Sequence, residues 1–286
     1  MREKIIGTAL ERALSAPVPA MTETYSPIPH SMFLSELRRY LVQHEYEIKN
    51  QRLFVNGGGT RLVGFYDVED VNQQNSNDFG FRMSLGFKNS YDKSMTVALV
   101  VGATVIICSN GMISGDLITF KRKHTGAVME LLREKIQEAV GSMNTSFMRL
   151  VSDAEIMKNY ELNLRQKSEI LGIMYFEKEI VTPTQLSVIK KELQTSENFR
   201  ENSLWDLYNN VTVALKKSYP LRYVEDHIRL HDFMSDIAGI SHAPLSEETE
   251  EVIAESIAIT NESNQGFNSV APAHEFDSEN PVIGEF

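Results

Sequence analysis

Apolar residues change their spacing along the chain, and each change marks a different kind of element. Leu34, Leu37 and Leu41 recur at helical intervals behind Ser31, a residue suited to capping, so a helix is predicted from there through about His44. Upstream, Pro17, Pro19, Pro27 and Pro29 break any long element, leaving a short helix over 3–14 and an extended arm. From Tyr46 to Lys123 the pattern is that of strands. Arg52–Val55 and Arg61–Asp67 flank Asn56-Gly57-Gly58-Gly59, residues that tolerate positive φ and therefore close a hairpin. A polar loop over 68–78 precedes further strands at Phe79–Lys88, Met95–Val101, Ala103–Cys108 and Leu117–Lys123. Turns are expected at Asn89–Ser94, at Gly102, and from Asn110-Gly111 to Gly115-Asp116, and these short connections favour antiparallel pairing.

After Thr125 the period lengthens. Val128, Leu131, Leu132, Ile136, Ala139, Met143, Phe147 and Leu150 form one stripe of a long amphipathic helix, with a second helix expected from Asp153 to Tyr175. Thr182-Pro183 opens another, Ser203 a fourth containing Trp205, and Pro220 a last one that Gly239 closes. The fold class is therefore α+β: an antiparallel β-sheet with hairpins in the N-terminal half, packed with a helical C-terminal half, plus a disordered acidic tail. The expected divisions are an arm over 1–29, helix plus sheet over 30–124, a helical part of the same body over 125–240, and the tail over 241–286.

Charge changes the picture only when divided along the chain. The net value is −11, but residues 241–286 hold ten of the 39 acids and no Lys or Arg, so the body carries 29 acids against 28 bases, a net of −1. A polyanion partner is thus not excluded by overall acidity; local clustering decides. The tail's composition, Ser, Asn, Glu and Pro without a base, predicts disorder, apart from a helical turn near 246–258. Cys108 is the single cysteine, which excludes an internal disulfide framework and fits a reducing compartment. No apolar run reaches a membrane span, and the first residues lack the apolar core of a signal peptide. A cytoplasmic protein is expected.

Catalytic patterns are sparse. Gly57-Gly58-Gly59-Thr60 lacks the Lys of a phosphate loop, and no Gly-x-Ser-x-Gly elbow occurs. Cys108 ends an apolar strand and reads as an inert buried thiol. His227 and His231 are spaced so that both could face one ion, which would suit a metal-dependent hydrolase. The Glu of His-Glu-x-x-His is absent, however, and no third ligand stands out, so a solvated or capped helix face is favoured. The expectation is a non-enzymatic protein without a cofactor.

Binding signals are stronger. Lys121-Arg122-Lys123-His124 is the densest basic cluster, where the last strand passes into the long helix. Arg82, Lys88 and Lys93 lie on or beside neighbouring strands, interleaved with Phe79, Phe81, Phe87 and Tyr91. Aromatic faces beside cations suit single-stranded nucleic acid, through base stacking and phosphate neutralisation. The competing reading is that Phe79, Phe81, Leu85 and Phe87 share one strand face as core, leaving Arg82 and Lys88 solvated on the other.

Lys88-Asn89-Ser90-Tyr91-Asp92-Lys93-Ser94, Cys108-Ser109-Asn110-Gly111-Met112, His124-Thr125 and Leu204-Trp205-Asp206-Leu207-Tyr208-Asn209-Asn210-Val211-Thr212 occur in order. In these segments the chain resembles a phage- and plasmid-borne family labelled only as a domain of unknown function, over roughly residues 30–235. The resemblance implies a mobile-element setting and little about activity. The C-terminal tip, with Asp277, Glu279, Ile283, Glu285 and Phe286, is similar to the tails of single-stranded-DNA-binding proteins, whose terminal aromatic docks on replication or repair partners. Here the acids are scattered and Gly284-Glu285 replaces the usual Ile-Pro; a tail that only solubilises the chain is the plainer alternative. The resulting expectation is a DNA-metabolism protein that binds single-stranded DNA, with annealing and a homo-oligomer following by fold analogy. The alternative is a protein-binding module that modulates host machinery or defence.

Overall fold

The computed structural model describes residues 3–23, 25–56, 58–72, 80–106, 110–115, 117–120, 128–195, 202–216, 218 and 222–266, with side chains from residue 9 to residue 258 apart from Phe120. Two helices, α1 (Glu3–Ser15) and α2 (His30–Gln43), precede four long strands: β1 (Tyr46–Val55), β2 (Arg61–Asp70), β3 (Phe81–Ser90) and β4 (Val97–Val105). They pair in sequence order as an antiparallel meander. Two short strands share the far side of β4: β5 (Gly111–Ile113) pairs with its C-terminal half and β6 (Ile118–Phe120) with its N-terminal half. The helical half comprises α3 (Val128–Lys158), α4 (Leu164–Phe176), α5 (Pro183–Thr195), α6 (Leu204–Leu215), α7 (Tyr223–Ala238) and α8 (Glu247–Gly266). The α+β class with an N-terminal antiparallel sheet and a helical C-terminal half is as expected.

Alternation along the strands divides the core in two. On one face Leu62, Tyr66, Leu85, Phe87, Leu99 and Val101 pack with Phe33 and Leu37 of α2 and with Leu132, Ile136 and Met143 of α3. On the opposite face Val63, Phe65, Ala98 and Val100 meet Tyr223, Val224 and Ile228 of α7 and Val252 and Ile253 of α8. The sheet is thus the middle layer of three, and all nine residues of β4 are buried.

Several boundaries differ from the sequence reading. Gly102 does not turn the chain; it lies inside β4 opposite Ser84 and Ile113. A Cβ there would come within 2.8 Å of the Met112 carbonyl oxygen, so the glycine admits a close approach of β5. The long helix does not stop near residue 150, because Val151, Ala154 and Met157 continue its buried stripe. The break falls before Asn163, whose side chain and that of Gln166 form a capping box opening α4. The acidic region is not free from residue 241: α8 docks on the sheet, and Thr249 Oγ1 accepts a hydrogen bond from the Leu117 amide at 3.0 Å. Residues 267–286 and Cys108 lie outside the described residues.

Phe87 sits where α2 meets the sheet, with its ring 5.9 Å from that of Phe33 and 4.8 Å from that of Tyr66. Phe87→Ala is expected to lower unfolding free energy by about 3–5 kcal/mol in urea titrations, since the neighbouring Gly64 supplies no side chain to refill the space.

Candidate functional site

The segments that distinguish this sequence are built into its interior. In Lys88–Ser94, Asn89 Nδ2 donates to the Ile28 carbonyl at 2.9 Å, and Tyr91 Oη accepts from the His30 amide at 2.6 Å while its ring stacks on the His30 imidazole. Tyr25 Oη donates to the carbonyl oxygen of Tyr91 at 3.1 Å. The segment is a clasp that holds the proline-rich arm against the sheet. Asn110 in turn donates to the carbonyl of Asn209, which ties the β4–β5 connection to α6. Ser203 and Asp206 cap α6 reciprocally, and eleven of its twelve residues are buried. These polar residues satisfy backbone groups inside the protein, as buried polar groups must.

The residues proposed for nucleic-acid contact are placed very differently from one another. Lys88 is not solvated: it is 2% exposed, and its ammonium is paired with Glu225 of α7, which also accepts from Ser256 Oγ at 2.8 Å. Burying a lone charge is costly, so strand and helix carry opposite charges at this point. Tyr91 is committed to the clasp, and Phe81 and Phe87 are 2% and 1% exposed, so none of the three offers a stacking platform. Arg82 is half-buried and reaches Glu69 Oε1 at 3.2 Å. Lys93 is exposed on the β3–β4 turn at a positive φ of 63°, with its ammonium 4.7 Å from the centre of the Tyr25 ring. Phe79, Lys121, Arg122, Lys123 and His124 lie outside the described residues, as do Asp277, Glu279, Ile283, Glu285 and Phe286.

Strand register nonetheless groups some of these positions. Val55 and Leu62 flank the first hairpin, Arg61 pairs with Ser90, and Val97 pairs with Phe120. The 56–60 hairpin, the 91–96 turn and the exit of β6 therefore share one rim of the sheet. The basic run begins at the residue after Phe120. Arg61 on this rim is held by Asp92 at 2.6 Å.

A second constellation lies along α7. His227 and His231 are both fully buried, contrary to a solvated helix face, and they do not converge on one point. His227 Nδ1 is 2.8 Å from the Tyr223 carbonyl, one turn back along its own helix. His231 Nε2 instead lies 3.1 Å from Asp153 Oδ2 on α3, and its Nδ1 faces Tyr208 Oη at 3.5 Å. His242, in the segment after the Gly239 cap, brings its Nε2 to 3.2 Å from the same Asp153 oxygen, without the alignment of a hydrogen bond. Asp153 and His242 went unnoticed in sequence because they belong to other elements, 78 and 11 positions from His231. Only the isolated acid within the apolar stripe of α3 hinted at a polar partner.

Burial dominates the titration of both histidines of α7. It pushes His227 down from 6.5 to about 3, and it lowers His231 despite the opposing pull of Asp153. Elsewhere, Lys178, Ile180, Arg229, Asp232, Phe233 and Asp236 line an open groove of about 200 Å³. No described helix is long and apolar enough to cross a membrane.

These features define an α+β protein whose sheet is covered on both faces and whose distinctive motifs are internal. Residues 19–234 match the family described as Domain of unknown function (DUF932), and the chain belongs to that family. No curated protein and no solved structure matches it.

Lys88→Met strands the Glu225 carboxylate and is expected to cost about 3–5 kcal/mol in chemical denaturation, whereas Lys88→Met combined with Glu225→Leu should recover much of that loss. Unfolding returns His227 from about 3 to about 6.5, so between those values the unfolded chain binds the extra proton. Stability then rises with pH across that window and falls on acidification, by up to about 1.4 kcal/mol per pH unit from this ring. His227→Asn keeps a donor for the Tyr223 carbonyl and removes the titration. Urea midpoints between about pH 6 and pH 4 should therefore fall less steeply for the variant than for the unmodified chain.

Proposed function

We propose that the protein binds single-stranded DNA in the DNA metabolism of a phage or other mobile element, and that it does so at the rim of its sheet. The support is the strand register, which brings the Lys93 turn beside the point where the chain enters Lys121-Arg122-Lys123-His124. A flexible phosphate backbone needs clustered cations rather than a deep pocket, and binding then follows counterion release. The faces of the sheet have no part in this reading, because helices cover both. Lys88 and Tyr91 are withdrawn from it as well, and Lys93 with the basic run carries the contact. The acids beyond Gly266 compete with the strand for these cations and limit nonspecific binding.

A second reading, a protein-binding module, draws on Leu164 and Phe176. These side chains are 74% and 80% exposed at the two ends of α4.

Fluorescence anisotropy of labelled oligo-dT across a salt series separates the two. The full chain should bind with a steep salt dependence. Replacing Lys121, Arg122 and Lys123 together by Ala should reduce the logarithmic salt slope by roughly two and weaken binding at low salt. Arg165→Ala, on an exposed stretch of α4, should change neither quantity. Truncation after Gly266 leaves α8 in place and should strengthen binding. Absence of binding by the full chain and by the truncated chain at low salt would sink the DNA reading and favour the second.

A further inference from the structure

Asp153, His231 and His242 come from three separate elements: the last turns of α3, the middle of α7 and the connection to α8. Each directs one donor atom inward, and the three atoms lie within 4.8 Å of one another. Asp153 is 3% exposed and His231 fully buried, while the His242 side chain is 17% exposed, so His242 is the member nearest to solvent. Hydrogen bonding accounts for only part of the arrangement. His231 Nε2 can donate to Asp153 Oδ2 at 3.1 Å, but His242 Nε2 at 3.2 Å from that oxygen has no aligned partner. A second imidazole has therefore been aimed at an occupied carboxylate oxygen.

We propose that Asp153, His231 and His242 form a binding site for one divalent transition-metal ion, with the remaining coordination open to water on the His242 side. Donor atoms held about 2.1 Å from one ion lie about 3.0–3.4 Å apart, and the two nitrogen-to-oxygen separations fall in that interval. Two imidazoles and one carboxylate select zinc or ferrous iron over magnesium or calcium, which prefer oxygen ligands. Coordination through His231 Nε2 places the proton on Nδ1, facing Tyr208 Oη, so Tyr208 orients the ring from behind. The site is independent of DNA binding at the sheet rim, and its test does not involve DNA.

The test is a titration of the chelator-stripped full chain with Co²⁺, followed by visible absorption. One equivalent should produce ligand-field bands that one equivalent of Zn²⁺ removes and an excess of Mg²⁺ leaves intact. His242→Ala and Asp153→Asn should each weaken Co²⁺ binding by about tenfold to a hundredfold. Far-ultraviolet circular dichroism of the metal-free variants checks their folding. If either variant fails to fold, carbethoxylation of His242 in the unmodified chain, mapped by mass spectrometry, reads the same site, and micromolar Zn²⁺ should block it. No saturable Co²⁺ binding at micromolar concentration would overturn the proposal. So would binding that both folded variants retain, or carbethoxylation of His242 that Zn²⁺ leaves unchanged.

Discussion

Strand β4 has no exposed residue, and that single constraint organises the molecule. A strand buried on both sides cannot stop at one helical layer, because whichever face lacked a cover would leave a large apolar area in water. The first cover is α2 and α3, and the second is assembled from α7 and α8. The two faces differ in chemistry. The α3 side is almost wholly apolar. The other side carries Arg52, Asp67, Ser84, Lys88 and Thr104, so whatever covers it must answer charge with charge. Arg52 and Asp67 pair at 3.0 Å, Thr104 donates to Asp67 at 2.9 Å, and Glu225 meets Lys88. Placement of α7 is thereby specified by complementary polar groups as well as by burial.

Local signals and distant partners explain which parts of this were legible. The first hairpin, the clasp segment as a turn, the start of α6 at Ser203 and the end of α7 at Gly239 depend on residues close in sequence, and they read correctly. Gly102 was misread because a glycine in an apolar run looks the same whether it turns the chain or admits a neighbouring strand. The polar positions of β3 suggested a strand with one wet side. Nothing near Lys88 reveals that Glu225, 137 residues away, will neutralise it. The packing of α8 was obscured by its charge, since the apolar Val252, Ile253 and Ile257 sit in a strongly acidic stretch.

The candidate site was legible to the same extent and for the same reason. His231 stood out because helical spacing paired it with His227, yet the pair diverges: one ring turns to its own helix backbone and the other to α3. Chemistry assembled from three elements leaves no spacing to recognise. Conversely, the segments most distinctive in sequence proved to be architectural. Asn89, Tyr91, Asn110 and Asn209 stitch arm to sheet and sheet to helix. In this fold, residues that are distinctive in sequence need not face a ligand.

The order of the covers has a consequence for how the protein is made. Translation delivers the sheet first and its α3 cover next, while the helices that seal the opposite face are more than a hundred residues behind β4. A nascent chain that has already emerged through α6 therefore presents Val63, Phe65, Ala98 and Val100, together with an unneutralised Lys88, to solvent or to a chaperone. The charged positions interspersed on that face make it a poor template for another chain's apolar surface. Polar groups that specify the position of α7 in the finished protein thus also guard the unfinished one during synthesis.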